Sequence, residues 1–264
     1  MRKYILIAFT LFFTLNTLLA QPFPMNDAEM DNFSKKANAE AKDSSKVNAL
    51  YWLSRANTLV NPNKTIEIAN QGLSLAREIK YPIGEIECLE ALCFAYAITA
   101  SFEKGIKTAY DQIELSRKHA PIREIFGTNM MGLLYQKLGD DKEALNWAQK
   151  AYYHPQIKES DPFTQWSAIF LLAQEHERKN NLDSAYYFAQ ESLAYSKLYF
   201  KAQVGYPTLI LARISSKRKD YDKAVEYCKQ SISSSESGGS EFFVNEAQNE
   251  LSQMYFAQIG RAHV

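Results

Sequence analysis

The chain has 264 residues, 46% of them hydrophobic and 23% charged, with 30 basic side chains against 30 acidic ones. A formal charge of zero removes the broad basic field that non-specific nucleic-acid binding needs, and a mean hydropathy of -0.34 excludes a polytopic membrane protein. Ten Gly and eight Pro are too few for an all-β chain with a turn every ten residues, so long helices are expected.

Taken in chain order, residues 1–20 differ from the rest. Arg2 and Lys3 precede an apolar run from Tyr4 to Leu19, and Ala20 stands before Pro22 and Pro24. A basic start, a short apolar stretch and a small residue before a break form the pattern of a secretory signal. The run falls short of the ~20 apolar residues that a spanning helix requires. Cleavage after Ala20 and an exported, periplasmic or cell-envelope location are therefore expected, with an uncleaved N-terminal anchor as the alternative. Residues 21–46 are polar and weakly periodic, a flexible lead or loosely held helix. Export would place Cys88, Cys93 and Cys228 in an oxidising setting. Cys88 and Cys93 lie about 140° apart around a helix, too divergent to bridge. All three read as small buried hydrophobes.

From residue 47 onward the chain repeats. Aligned on Ala224, four earlier segments fall into register at Thr65, Gly105, Ala144 and Ala185, spaced 39 to 41 residues apart. Apolar or small residues recur four and seven or eight positions after each anchor, which is helical periodicity. Twelve residues before the last four anchors stand Cys93, Gly132, Ala173 and Ala212, each followed three later by Tyr96, Tyr135, His176 or Ser215. Two small residues at fixed separation, one per helix, are what a tight antiparallel pair needs at its closest approach. Each repeat is then helix A, a short turn and helix B. Asp140 and Glu143 form a candidate capping box for one helix B, and Pro82, Pro121 and Pro162 stand where new helices start. The longest break is expected at Ser231–Ser240, followed by a last helix over 241–258.

Gly132-x-x-Tyr135-x-x-x-Gly139-x-Asp141-x-x-Ala144, with Ala151 seven further on, resembles the tetratricopeptide repeat, and Tyr221-Asp-Lys-Ala224-Val-Glu-Tyr227 is similar to its second helix. The resemblance covers residues 47–258 and is weakest in the first repeat. The family repeat is ~34 residues, so these repeats are longer. It implies an all-α, right-handed superhelical solenoid of five antiparallel helix pairs plus one unpaired helix, and a protein or peptide as partner. In such repeats the ligand-facing side of helix A points away from helix B. That spacing gives Asn129, Leu133, Gln136 and Lys137, then Phe170, Gln174 and Arg178, then Tyr206, Leu209, Arg213 and Lys217. The mixture of aromatic and cationic groups suits an extended peptide or a carboxylate. It does not match the arrangement of the dicarboxylate clamp found in co-chaperones.

No chemistry emerges from the motifs. His119, His154, His176 and His263 give no pair at metal-ligand spacing, and phosphate-cradling loops and nucleophile elbows are absent. No metal, cofactor or catalytic residue is expected, and His176 reads as packing between helices A and B. Elongated exported repeats of this kind resemble the sensory regions of Bacteroidetes-type signalling proteins, in which a membrane span and an output domain follow. Residues 259–264, Ile-Gly-Arg-Ala-His-Val, are the translation of the adapter string ATCGGAAGAGCACACGTC. The expectation is a truncated gene product ending in read-through, with Leu251, Met254 and Tyr255 left uncovered and prone to self-association. A stand-alone periplasmic scaffold is the alternative, and an enzyme has no residue cluster in its favour.

Overall fold

A computed structural model describes residues 26–58, 60–237 and 241–262. The expected leader over 1–20 and the last two residues lie outside the described residues. Within them every regular element is helical. A first helix, α1 (Asp27–Ala37), is followed by five pairs. These are α2 (Ser44–Asn57) with α3 (Pro62–Glu78), α4 (Pro82–Ile98) with α5 (Phe102–His119), α6 (Glu124–Leu138) with α7 (Asp141–Tyr152), α8 (Pro162–Arg178) with α9 (Leu182–Tyr199), and α10 (Gly205–Lys217) with α11 (Tyr221–Ser237). The last helix is α12 (Glu241–Ala262). The chain forms two compact units, one ending at Thr164 and the other starting at Gln165.

The helices start where local chemistry satisfies their free amides. Asn26 and Glu29 form a reciprocal capping box on α1, and Asp43, Asn61 and Asp140 accept the amides of Lys46, Lys64 and Glu143. At Asp140 only this half of the expected box is seen, while the Glu143 carboxylate accepts from Asn146 at 3.3 Å. Pro62, Pro82 and Pro162 open α3, α4 and α8, and Pro121 opens a 3-10 turn before α6. The polar lead is not loose throughout. Phe33 of α1 stacks on Trp52 at 6.2 Å, and Ala37 packs against the first core.

Four of the turns from helix A to helix B share one geometry. Ala100, Gly139, Asn180 and Lys219 are left-handed, with φ between 53° and 81°. In each case the amide one residue further on donates to the carbonyl of Tyr96, Tyr135, His176 or Ser215. That is the Schellman closure of a helix C-terminus. The tyrosine, histidine and serine that recur in the sequence therefore mark the carbonyl that ends these four helices A.

The repeating small residues are buried as their spacing requires. Ala144, Ala185 and Ala224 are fully buried, as are Cys93, Ala173 and Ala212 on the facing helices. In the first pair Thr65 donates to the carbonyl of Ser54 at 2.8 Å, so Ser54 is the small residue of α2. Apolar cores fill the space between, one around Val47, Leu50, Leu73 and Leu89, another around Ile113, Met130, Met131 and Leu134. Cys88, Cys93 and Cys228 are free and buried, and burial pushes each thiol up, that of Cys228 to about 11.

The serine run departs from the expected break. Helix α11 continues to Ser237, and Ser231 and Ser235 are buried. Ser231 donates to the carbonyl of Gly205 at 2.8 Å, and a Cβ on Gly205 would lie 2.3 Å from the Ser235 hydroxyl. These serines act as small packing residues where the start of α10 lies against the end of α11. The last helix also runs beyond 258, to Ala262. Met254 is buried against the preceding helices, so of the three residues expected to be uncovered only Tyr255 is exposed, joined by Phe256.

Candidate functional site

In the first unit, helices α2, α4 and α6 are neighbours in a row. Relative to the small residues Ser54, Cys93 and Gly132, the positions three before are Tyr51, Glu90 and Asn129, and those one after are Arg55, Phe94 and Leu133. Side chains at these positions touch across adjacent helices A. The Arg55 guanidinium donates to the Tyr51 hydroxyl at 2.9 Å and lies 5.4 Å from the Phe94 ring centroid. Phe94 in turn meets Phe126 edge-on at 5.3 Å and Phe163 at 6.4 Å. Burial pushes the Tyr51 phenol up to about 12, against the pull of Arg55.

Beside this row sits a buried ionic cluster. Glu87 and Glu90 stand one turn apart on α4 and share Arg123 from the 3-10 turn before α6. Nη2 of Arg123 donates to Glu87 at 2.8 Å, and Nη1 reaches both oxygens of Glu90 at 3.0 and 2.9 Å. Gln112 of α5 is fully buried, and its amide donates to the Arg123 carbonyl at 2.9 Å and approaches Glu90 at 3.4 Å. Glu90 foremost, then Glu87, holds Arg123 above the ordinary arginine range against its burial. Two carboxylates on one guanidinium leave each under-compensated. Burial pushes Glu90 up, with Arg123 opposing, and pushes Glu87 up to about 7.

In the second unit α8 presents Phe170 stacked on Trp166 at 5.1 Å, with Tyr206 of α10 edge-on to both rings at 6.0 Å. The Trp166 indole donates to Ser196 at 2.8 Å, and His176 stacks on Phe188 at 5.4 Å with its basicity lowered by burial. Histidine 176 is thus a packing residue between helices A and B, as its place in the repeat implies.

Of the ligand-facing residues expected from the sequence, Lys137 and Arg178 are exposed, and Leu133, Phe170, Gln174 and Tyr206 are half-buried. Leu209, at 2% exposure, belongs to the apolar core, because its turn of α10 faces inward. Asn129 and Gln136 are likewise buried and polar. Arg213 is engaged within the chain. It donates to Glu250 at 2.7 Å and Glu246 at 2.5 Å, and although burial disfavours its charge, the bonds to Glu250 and Glu246 raise its basicity. Lys217 is paired with Glu177 at 2.5 Å. Two of the four cations expected on the ligand wall therefore fasten helices together, Arg213 tying α10 to α12 and Lys217 tying α10 to α8. The sequence reading missed Tyr51, Arg55, Glu87, Glu90, Phe94 and Arg123. Extending the same register one repeat earlier finds Glu90 and Phe94. Arg123 stands in a connecting turn, where no periodicity points to it. Among the described residues no group of His, Cys, Asp or Glu is arranged to hold a metal, and no helix is long and apolar enough to cross a membrane.

No protein-family model matches the sequence, and no curated protein is recognisably similar to it. Solved structures are similar in fold. A Rap protein complexed with Competence and Sporulation Factor superposes with a TM-score of 0.67 at 14% identity, over 91% of this chain and 78% of that one. Aspartyl phosphate phosphatase F from Bacillus subtilis gives 0.64 at 14% identity, over 84% and 59%. A signal transduction ATPase with numerous domains and a tetratricopeptide repeat sensor, from Pyrococcus horikoshii, gives 0.62 at 14% identity, over 89% and 38%. This chain thus spans under two thirds of the length of the last two. The chain has the fold of tetratricopeptide-like helical-repeat proteins.

Proposed function

We propose that this chain is a non-catalytic repeat domain that binds a protein or an extended peptide along helices A, and that it serves as the extracytoplasmic sensory region of a signalling protein. The observation that carries the binding assignment is the row Arg55, Phe94 and Leu133, whose half-buried side chains lie on neighbouring helices A, with Arg55 and Phe94 in contact. A preformed aromatic and cationic surface on a rigid scaffold suits an extended ligand with apolar and carboxylate groups. The similar structures support this reading, one being a Rap protein complexed with Competence and Sporulation Factor and another a signal transduction ATPase with a tetratricopeptide repeat sensor. Export rests on the basic, apolar and small-residue order of residues 1–20.

The test is selection from a random peptide display library on the native chain and on the Arg55→Ala, Phe94→Ala double variant. Peptides enriched on the native chain and lost on the variant support the assignment. The same peptides on both place any binding elsewhere. Export is checked by mass spectrometry of envelope material, where a chain beginning at Gln21 is expected and intact Met1 in the cytosol would reject it.

A further inference from the structure

We propose that Glu87, Glu90 and Arg123 form a proton-operated tie at the junction of the second and third helix pairs, in which Arg123 is shared by both carboxylates when Glu87 is ionised and held by Glu90 alone when Glu87 carries a proton. The inference is independent of what the helix-A face binds. Glu90 is the better satisfied ion, since both of its oxygens meet Nη1 of Arg123 and the Gln112 amide approaches it. Glu87 has one bond from Nη2 at 2.8 Å. Its side chain is also the more open, at 13% exposure against 5%, so it is where a proton enters.

The groups facing the pair come from each element around it. Arg123 comes from the 3-10 turn, Arg55 and Tyr51 from α2, Tyr81 from the turn before α4, and Gln112 from α5. Asp161, just before α8, adds negative charge felt by Glu90. For Glu87, burial and the Glu90 charge favour the proton, while Arg123 and Arg55 oppose it. Burial dominates and sets the carboxyl at about 7, from an ordinary 4.5. A group raised on folding adds stability that is fully present below its unfolded value and is lost as pH rises through its folded value. The cluster therefore favours the fold most strongly below pH 4.5 and loses that contribution as the pH rises through about 7.

Carbon-13 NMR of the glutamate carboxyls in the full chain tests this without a substitution. One carboxyl, assigned to Glu87, is expected to titrate near neutrality, and the Arg123 guanidinium signals to move with the same midpoint. A Glu87 midpoint below pH 5, or Arg123 signals that stay flat across the neutral range, would overturn the proposal. In Glu90→Gln, Glu87 gains sole use of Arg123, and its midpoint is expected to fall by at least one pH unit. In Glu87→Gln the fall in melting temperature between pH 6 and 8 should be reduced relative to the native chain. Persistence of the full native slope counts against the tie.

Discussion

Replacing Gly127 with Ala sets two effects of opposite sign against each other. Gly127 lies in α6, so on helix propensity alone Ala should stabilise by ~1 kcal/mol. The structure opposes this, because a Cβ there would sit 2.0 Å from Oε1 of Gln112 and 2.7 Å from Cγ1 of Ile113. Oε1 has no hydrogen-bond partner to lose among the described residues, but the amide is rigid. Moving it by more than an ångström draws Nε2 away from the Arg123 carbonyl, now 2.9 Å distant. Overpacking costs ~1–3 kcal/mol, and stranding a buried amide a further ~1–3 kcal/mol. After the propensity gain a net loss of ~1–5 kcal/mol is expected, and its mid-value of ~3 kcal/mol corresponds to roughly 6–12 °C in melting temperature for a chain of this size. Circular dichroism melts of the two proteins at pH 7 measure it. In the Gln112→Ala background the nearer obstruction is gone and only Cγ1 of Ile113 remains, so the same change should cost at least ~1 kcal/mol less. A Gly127→Ala protein that melts at or above the native temperature would refute the reasoning.

Ala100→Gly should raise stability by up to ~1 kcal/mol in chemical denaturation, because Ala100 is left-handed at φ 53°, and Gly139→Ala, at φ 81°, should lower it by a similar amount. Ala224→Glu places an unpaired charge at a fully buried contact between α10 and α11, and a loss of ~3 kcal/mol or more is expected from the melt; a change within error would argue against paired helices there. Arg213→Ala should loosen α12. Because Glu246 retains 33% side-chain exposure the loss is only about 1–2 kcal/mol, read as faster amide exchange confined to residues 241–262.

The parts of the fold legible in the sequence are those fixed by steric necessity at one site per repeat. Ala144, Ala185 and Ala224 must be small because two backbones meet there, and the constraint recurs wherever a pair recurs. The serines at 231 and 235 obey the same rule, yet a serine-rich stretch resembles a loop by composition, and only the closeness of Gly205 shows what they do. The candidate site was legible in outline and not in detail. Leu209 and Phe170 occupy the same register on successive helices A, but one is buried and the other half-exposed, because each depends on which aromatic or aliphatic neighbour stands beside it. The ionic ties are the least legible feature. Arg123 with Glu87 and Glu90, and Arg213 with Glu246 and Glu250, each join residues from different repeats, and the first arginine takes carboxylates earlier in the chain while the second takes carboxylates later in it. Their partners are set by how one repeat lies beside the next, which a single repeat does not encode.

The left-handed turn residues carry a practical consequence. Four chemically different side chains, an alanine, a glycine, an asparagine and a lysine, adopt one backbone shape, so the shape is imposed by the helices on either side and by the carbonyl that closes helix A. All four are exposed. The tips at 100, 180 and 219, which already carry a side chain in this conformation, are therefore attachment points where it can be exchanged for a fluorophore or spin label with little disturbance to the helices beneath. A label at residue 100 would report on the second pair alone and one at residue 219 on the fifth, so ligand engagement could be followed repeat by repeat along the chain.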